Sequence, residues 1–277
     1  RAIADLVGGD PAGVVLGNSR LSLISALTES LLSSRKAVGD IVVSRTDDEE
    51  NIIPWLRLAK RSGWNTRWAE IDVETGELPS WQYEKLLTGP VSVVTVSMAS
   101  TVTGVLTDLQ PIAPGAAHAR ALFVVDATSA APFHTLDIKE LGADVVVVSV
   151  QRWGGPPVAA MVFADPGRIN ALESVSLDPQ ATGPARLEPE RVSGALLAGT
   201  VASVDYLAGL DEDSGGERRH RLTTAISGQA EYLGRLMVYL RSTLENLSQV
   251  HVIGESANRV PLLSFTFSGV SSDKVVQ

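Results

Sequence analysis

The fold is decided by residues 121–157, which read ALFVVDATSAAPFHTLDIKELGADVVVVSVQRWGGPP. Two apolar runs, at 121–125 and 145–148, stand near its ends. Continuous β-branched runs of this kind are typical of strands that are buried on both faces of a parallel sheet. The pattern of residues 136–141 predicts a helix, which Gly142 would end. The whole stretch therefore predicts a β–α–β unit.

The same stretch predicts where a ligand would bind. Small polar residues follow both apolar runs, beginning at Asp126 after the first and at Ser149 after the second. The carboxyl ends of parallel neighbouring strands lie side by side, and open α/β sheets bind ligands just outside those ends. We therefore expect the floor of an active site at this edge of the sheet.

Length and composition narrow the class of protein. The chain has 277 residues, of which 44% are hydrophobic and 20% charged, an ordinary globular balance. Its net charge is −9, which argues against a nucleic-acid or anionic-membrane partner. No apolar run approaches the ~20 residues of a membrane span. Cysteine is absent, which excludes disulfides and thiolate catalysis within these residues and favours a cytoplasmic location.

The rest of the chain alternates strand and helix patterns, as expected of an α/β fold. We predict a large α/β domain at 1–205 and the start of a smaller domain at 206–277. The long proline-containing stretch 174–190 reads as a loop. Strands are predicted at 14–16, 41–44, 65–71, 91–97, 159–164, 250–254 and 260–267, and helices at 21–33, 52–61, 80–87, 194–210 and 219–247.

The turn after the first predicted strand reads Gly-Asn-Ser-Arg at 17–20. A strand, a small-residue turn and a helix start together make an anion site in many α/β proteins, although without other evidence a plain strand-to-helix turn is the better interpretation. The glycine fingerprint of nicotinamide enzymes is absent there, which disfavours an oxidoreductase. The acidic run at 47–50 precedes a helix, where capping alone accounts for it.

Taken in order, these elements resemble the class V aminotransferase and cysteine desulfurase family. The resemblance implies the PLP-dependent transferase fold type I, a three-layer sandwich with a mostly parallel central sheet, plus part of a smaller α+β C-terminal domain. It also implies a homodimer that uses pyridoxal 5′-phosphate (PLP). The local matches are GDIVVS at 39–44, NIIPW at 51–55, VVD at 124–126, LGAD at 141–144 and GP at 155–156.

In this family one carboxylate keeps the pyridine nitrogen of PLP protonated. The resemblance assigns that role to Asp126. Such a carboxylate strengthens the cofactor as an electron sink. The competing interpretation is an aspartate that caps the turn after its strand, and we favour the functional one.

The Schiff-base lysine of the family follows a histidine in a Ser-x-His-Lys pattern, whereas this chain has Ser149, Val150, Gln151 and Arg152. A guanidinium stays protonated at any working pH and is not a usable amine nucleophile. We therefore expect no covalent aldimine at Arg152. The lysines of the chain read as surface positions: Lys36, Lys60, Lys85, Lys139 and Lys274.

At the other positions that contact the cofactor in the family, this chain has different residues. The stacking imidazole corresponds to Asp48, whose charge would repel the cofactor's phosphate. The asparagine beside the phenolic oxygen corresponds to Thr101, and the glutamine after the aspartate to Ser129. The phosphate cup becomes Ser19 and Arg20, of which the arginine can still neutralise a phosphate.

A lone buried charge is costly, so the altered pocket should contain an internal ion pair. We expect Arg152 to fill the space of the missing lysine and to pair with Asp126 or Asp48.

Two functions follow from the resemblance. The first is PLP-dependent transformation of an amino acid, with the substrate-carboxylate arginine and the desulfurase cysteine of the family falling beyond Gln277. The second is a non-catalytic homologue, a pseudoenzyme. It would bind a small anionic metabolite through Arg20, Arg152 and Ser149, or act as a dimeric regulatory or structural protein.

Overall fold

A computed structural model describes residues 1–34 and 39–276, so Lys36 lies outside the described residues. Within them, seven strands form one sheet in the order β1-β7-β6-β5-β4-β2-β3. Only β7 runs antiparallel to its neighbours, which confirms the mostly parallel sheet. The strands are β1 (Val14–Gly17), β2 (Asp40–Ser44), β3 (Thr66–Ala69), β4 (Val91–Ser97), β5 (Leu122–Asp126), β6 (Val145–Ser149) and β7 (Ala159–Phe163).

Helices lie on both faces of this sheet, close to where the sequence places most of them. Short 3-10 turns at Pro11–Gly13, Ser80–Gln82, Val150–Trp153 and Gly183–Arg186 supplement them. The helices are α1 (Ala2–Val7), α2 (Arg20–Ser34), α3 (Glu49–Ser62), α4 (Tyr83–Leu86), α5 (Ile112–Ala119), α6 (Gly167–Asn170), α7 (Gly194–Ala208), α8 (Arg218–Glu245) and α9 (Ser272–Val276). None of the described helices is long and apolar enough to cross a membrane.

The sheet is covered on both sides by separate apolar cores, which explains the continuous β-branched runs. On β5, Val124 packs into the core shared with α2 and α3, whereas Phe123 and Val125 face the opposite core. Valines of β6 divide between the two cores in the same alternating way. Each fully buried valine contributes about 1.5–3 kcal/mol to stability relative to an exposed one, so these strands hold the sheet together.

The helix predicted at 136–141 is wrong, because the structure has turns there. Leu136 and Ile138 are both buried, two residues apart, which is not the spacing of a helix face. The N–H of Ile138 donates to the carbonyl oxygen of Val7 at 2.9 Å, outside its own segment. Asp137 Oδ1 accepts the N–H of Lys139 at 3.0 Å, which stabilises a turn instead. The connection between β5 and β6 is therefore an anchored loop.

The C-terminal part begins with α8, which packs against α1 and α7. Strands β8 (Val250–Ile253) and β9 (Ser264–Phe267) then form an antiparallel pair of their own. The strand predicted at 260–267 is shorter than expected. The N–H of Val260 donates to the carbonyl oxygen of Gly104 instead of to β8, so only the last part of the segment pairs as a strand. The boundary between 205 and 206 stays a prediction.

Gly104 joins this C-terminal segment to the turn after β4, and we expect Gly104→Ala to be strongly destabilising. Gly104 has φ +75°, and an added Cβ would lie 2.6 Å from the carbonyl oxygen of Leu262. Gly63 has φ +71° with nothing within 4 Å of such a Cβ, so Gly63→Ala isolates the backbone cost. Urea unfolding should show a loss of about 1 kcal/mol for Gly63→Ala and about 3 kcal/mol for Gly104→Ala. Equal losses would contradict this contact.

Candidate functional site

A pocket of about 690 Å³ opens at the carboxyl ends of β5 and β6, beside the first residues of α2 and α3. This is the edge of the sheet at which the sequence predicts a site. The pocket brings together six of the predicted site residues and adds three others. Its lining consists of Ser19, Arg20, Asp48, Glu49, Glu50, Thr128, Ser149, Gln151 and Arg152.

Arg20 is the central charge of the site, although it is only 5% exposed. Its guanidinium donates to Oδ2 of Asp126, and Nη2 donates to Asp48 Oδ2 at 2.5 Å and to Glu50 Oε2 at 3.1 Å. Burial disfavours the charge on Arg20, but the attraction of Asp126 and the hydrogen bonds to Asp48 and Glu50 outweigh burial. The pKa of Arg20 is therefore raised above its usual value.

Local capping explains how these side chains reach the site. Ser19 Oγ accepts the N–H of Ser22 at 3.1 Å at the start of α2, which places Arg20 in the first helical turn. Asp48 is the N-cap of α3 and accepts the N–H of Asn51 through Oδ1 at 3.2 Å. Its other oxygen, Oδ2, accepts from Arg20. The acidic run therefore does cap the helix, as expected, but it also holds the arginine of the site.

Asp126 also serves two purposes. Its Oδ1 accepts the N–H of Thr128 at 3.0 Å, which is the turn-capping role, while its Oδ2 accepts from Arg20. Both oxygens of this buried carboxylate are thereby engaged.

The expectation that Arg152 pairs with Asp126 or Asp48 is wrong, because Arg20 takes both partners. Arg152 is exposed and forms no ion pair with any residue that the structure describes. The 3-10 turn that carries it is anchored by buried Val150 and Trp153, and Trp153 Nε1 donates to Ser203 Oγ at 3.1 Å. Gln151 and Arg152 are consequently left on the exposed side of the turn.

Some site residues were predicted without reaching the pocket, and others were missed. Thr101, Ser129 and Asp126 are not among the lining residues, although Asp126 is paired with Arg20, which is. Glu49, Glu50 and Thr128 line the pocket but were not predicted as site residues. Two sequence features point to these residues: the acidic run at 47–50 and the small polar residues after β5. The acidic run is not recognised as part of a site because helix capping also explains it.

Asp47 adjoins this charged cluster, because it precedes Asp48 in the chain and interacts with the charge of Asp126. Its Oδ1 accepts the N–H of Ser97 at 2.5 Å, whereas its Oδ2 is enclosed and has no hydrogen-bond partner within the described residues. The pKa of Asp47 is raised to about 7, because burial and the negative charge of Asp126 together outweigh the opposing hydrogen bonds of Ser97.

A family model described as Aminotransferase class-V matches residues 3–176, which is more than half of the chain. The chain belongs to this family. It is 49% identical over its whole length to an uncharacterized protein of Mycobacterium tuberculosis, of which it covers 69%. It is 27% identical to an aminotransferase-like protein of Gibberella zeae over 100% of the chain and 67% of that protein.

Solved structures of the class V family share the fold. The apo structure of a cysteine desulfurase from Thermococcus onnurineus NA1 matches with a TM-score of 0.83 at 21% identity, covering 99% of this chain and 68% of that one. The cysteine desulfurase CsdA of Escherichia coli matches with a TM-score of 0.82 at 18% identity, covering 99% of this chain and 68% of that one. The chain spans about two thirds of the length of these relatives.

The family is PLP-dependent, but the residues of this pocket do not fit that cofactor. The carboxylate assigned to the pyridine nitrogen, Asp126, is already paired with Arg20. Asp48, Glu49 and Glu50 line the pocket and would repel a phosphate. None of the lysines that the structure describes lines it, and all of these are exposed: Lys60, Lys85, Lys139 and Lys274.

The raised pKa of Asp47 predicts a pH dependence of folding stability. The folded state holds this proton more tightly than the unfolded state, whose aspartate has a pKa near 3.8. The contribution of protonated Asp47 to the free energy of unfolding is therefore fully present at low pH. It is lost as the pH rises from about 4 to about 7.

Asp47→Asn should remove this loss. The stability of the variant relative to wild type should therefore increase by about 4 kcal/mol between pH 4 and pH 8. Urea unfolding at both pH values measures it. Glu212→Gln, which changes an exposed acid in a turn, serves as the control and should show no such dependence. A pH-independent difference between wild type and Asp47→Asn would rule out this titration.

Proposed function

We propose that this class V family member is a non-catalytic homologue that binds a small amino acid in the pocket without forming a Schiff base. The observation that carries the proposal is Arg152, which stands just after β6 where the family's lysine is expected. Its guanidinium remains protonated and cannot condense with an aldehyde. The proposal concerns binding, and the PLP chemistry of the family is not part of it.

The walls of the pocket carry opposite charges, which favours a zwitterion. Glu49 and Glu50 form an acidic wall at the start of α3, and Glu50 Oε1 is not used by Arg20. Ser149, Gln151 and Arg152 form the other wall, after β6. An ammonium group would pair with the acidic wall and a carboxylate with Arg152. The pocket, at about 690 Å³, is within the ordinary range for small-molecule sites.

A small anionic metabolite is the second candidate, favoured by the exposed and unpaired side chain of Arg152 among the described residues. Charge balance counts against it. The pocket and its floor hold Asp48, Glu49, Glu50 and Asp126 against two arginines, a formal excess of two negative charges. Because Arg20 is already paired, an anion would depend on Arg152 alone.

The proposal is tested by calorimetric titration of the protein with a panel of amino acids, their decarboxylated amines and matched dicarboxylates. We expect an amino acid to bind, and Arg152→Gln to weaken that binding about tenfold because a charge-assisted hydrogen bond is lost. Arg57→Gln, an exposed arginine on α3 outside the pocket lining, should leave the affinity unchanged. Preference for dicarboxylates would support the second candidate.

Mixing the protein with PLP and reducing with borohydride tests the absence of a Schiff base. No cofactor should be trapped on a residue of the pocket, and labelling should be confined to the exposed lysines, whose amines react with any free aldehyde. A covalent adduct mapped to a pocket residue of the wild-type chain would overturn the proposal and return the family chemistry to first place.

We also propose a homodimer, which the family resemblance implies. Large apolar side chains remain exposed on α7 and α8, among them Val201, Tyr206 and Tyr239. Exposed apolar groups of this size are typical of surfaces that another protein covers. Light scattering coupled to size-exclusion chromatography should give twice the chain mass of 29.3 kDa. A mass of one chain across the micromolar range would refute the dimer.

A further inference from the structure

Arg20 takes its partners from separate parts of the chain. Asp126 ends β5, whereas Asp48 and Glu50 belong to the start of α3. The side chains of Arg20 and Asp126 are 5% and 1% exposed, so this ion pair is shielded from water. Charges paired in such surroundings interact strongly, and removing one leaves the other uncompensated.

The position of Arg20 matters because of what Asp126 would otherwise hold. The resemblance assigns to Asp126 a protonated pyridine nitrogen, which is a planar cation with one N–H donor. A guanidinium is also planar, delocalised and cationic, and it offers N–H donors in its plane. Arg20 thus supplies Asp126 with the same charge and the same kind of donor.

Attachment to the chain favours the internal cation over any free one. Arg20 is held in the first turn of α2, so its effective concentration at Asp126 far exceeds that of a dissolved ligand. Hydrogen bonds to Asp48 and Glu50 hold the guanidinium of Arg20 in this position as well. A free pyridinium would have to displace a guanidinium that three carboxylates hold at once.

We infer that Asp126, Asp48 and Glu50 form a binding site for a planar organic cation, which the chain fills with its own Arg20. This internal occupant, rather than the missing lysine alone, keeps PLP out of the pocket. The inference deepens the proposed function and rests on its claim that wild-type Arg152 forms no Schiff base.

Two features oppose PLP binding: the missing lysine at position 152 and the presence of Arg20 at Asp126. Three variants separate their effects, namely Arg152→Lys, Arg20→Ala and the double variant. PLP absorbance and fluorescence, borohydride trapping and thermal unfolding are measured for each. Arg152→Lys alone should trap no PLP at position 152, because Arg20 still occupies Asp126. The double variant should trap more PLP at that position, since Asp126 is then open to the pyridinium, although Asp48, Glu49 and Glu50 still oppose the phosphate.

Arg20→Ala should gain affinity for free planar cations, tested with methylguanidinium. Its melting temperature should rise by about 3 °C at ten times the dissociation constant, whereas wild type should not respond. Arg61→Ala, which removes an exposed arginine paired with Glu29, is the matched control and should not respond. Arg20→Gln replaces Arg20→Ala if the alanine variant does not fold, since it keeps a neutral donor beside the carboxylates.

The outcomes distinguish this inference from the proposed function. PLP trapped on a pocket residue of the wild-type chain overturns the proposed function. PLP trapped by Arg152→Lys to the same extent as by the double variant overturns the inference and leaves the proposed function intact. Failure of methylguanidinium to stabilise the folded Arg20 variants also overturns it, whereas trapping that requires both substitutions supports it.

Discussion

The site depends on a single buried cation that three carboxylates share. Arg20 joins the first turn of α2 to the end of β5 and to the start of α3. Without a cation at this point, Asp126 would remain a buried and uncompensated carboxylate, which is among the most costly arrangements in a protein interior. The position of Arg20 therefore sets both the charge of the pocket floor and the room left above it.

The scaffold and the pocket are built by different physical means, which explains how one persists while the other changes. Buried side chains such as Val124 and Phe123 hold the sheet between its two cores. The pocket residues lie beyond the ends of the strands, where a substitution alters charge without disturbing that packing. The class V fold can thus tolerate substitutions at its pocket while its sheet stays packed.

The sequence predicts much of the fold because burial leaves a local pattern. The apolar runs of β5 and β6 lie where expected, as does the pocket at their carboxyl ends. The helix assigned to 136–141 failed because Ile138 satisfies its backbone through Val7, a partner more than a hundred positions away. The partner of Asp126 was misassigned for a similar reason. Arg20 and Arg152 carry the same charge, and the long-range packing of Val150 and Trp153, which leaves Arg152 outside, has no local sequence pattern.

The reversed direction of β7 has a consequence for engineering. Because β7 runs antiparallel to β6, its first residue, Ala159, pairs with Ser149 at the pocket edge, and its last, Phe163, pairs with Val145 at the far edge. The segment that follows thus leaves from the edge of the sheet opposite the pocket. A reporter peptide spliced in at exposed Asp165, directly after β7, would therefore begin at the edge of the sheet remote from the pocket and leave the pocket unobstructed.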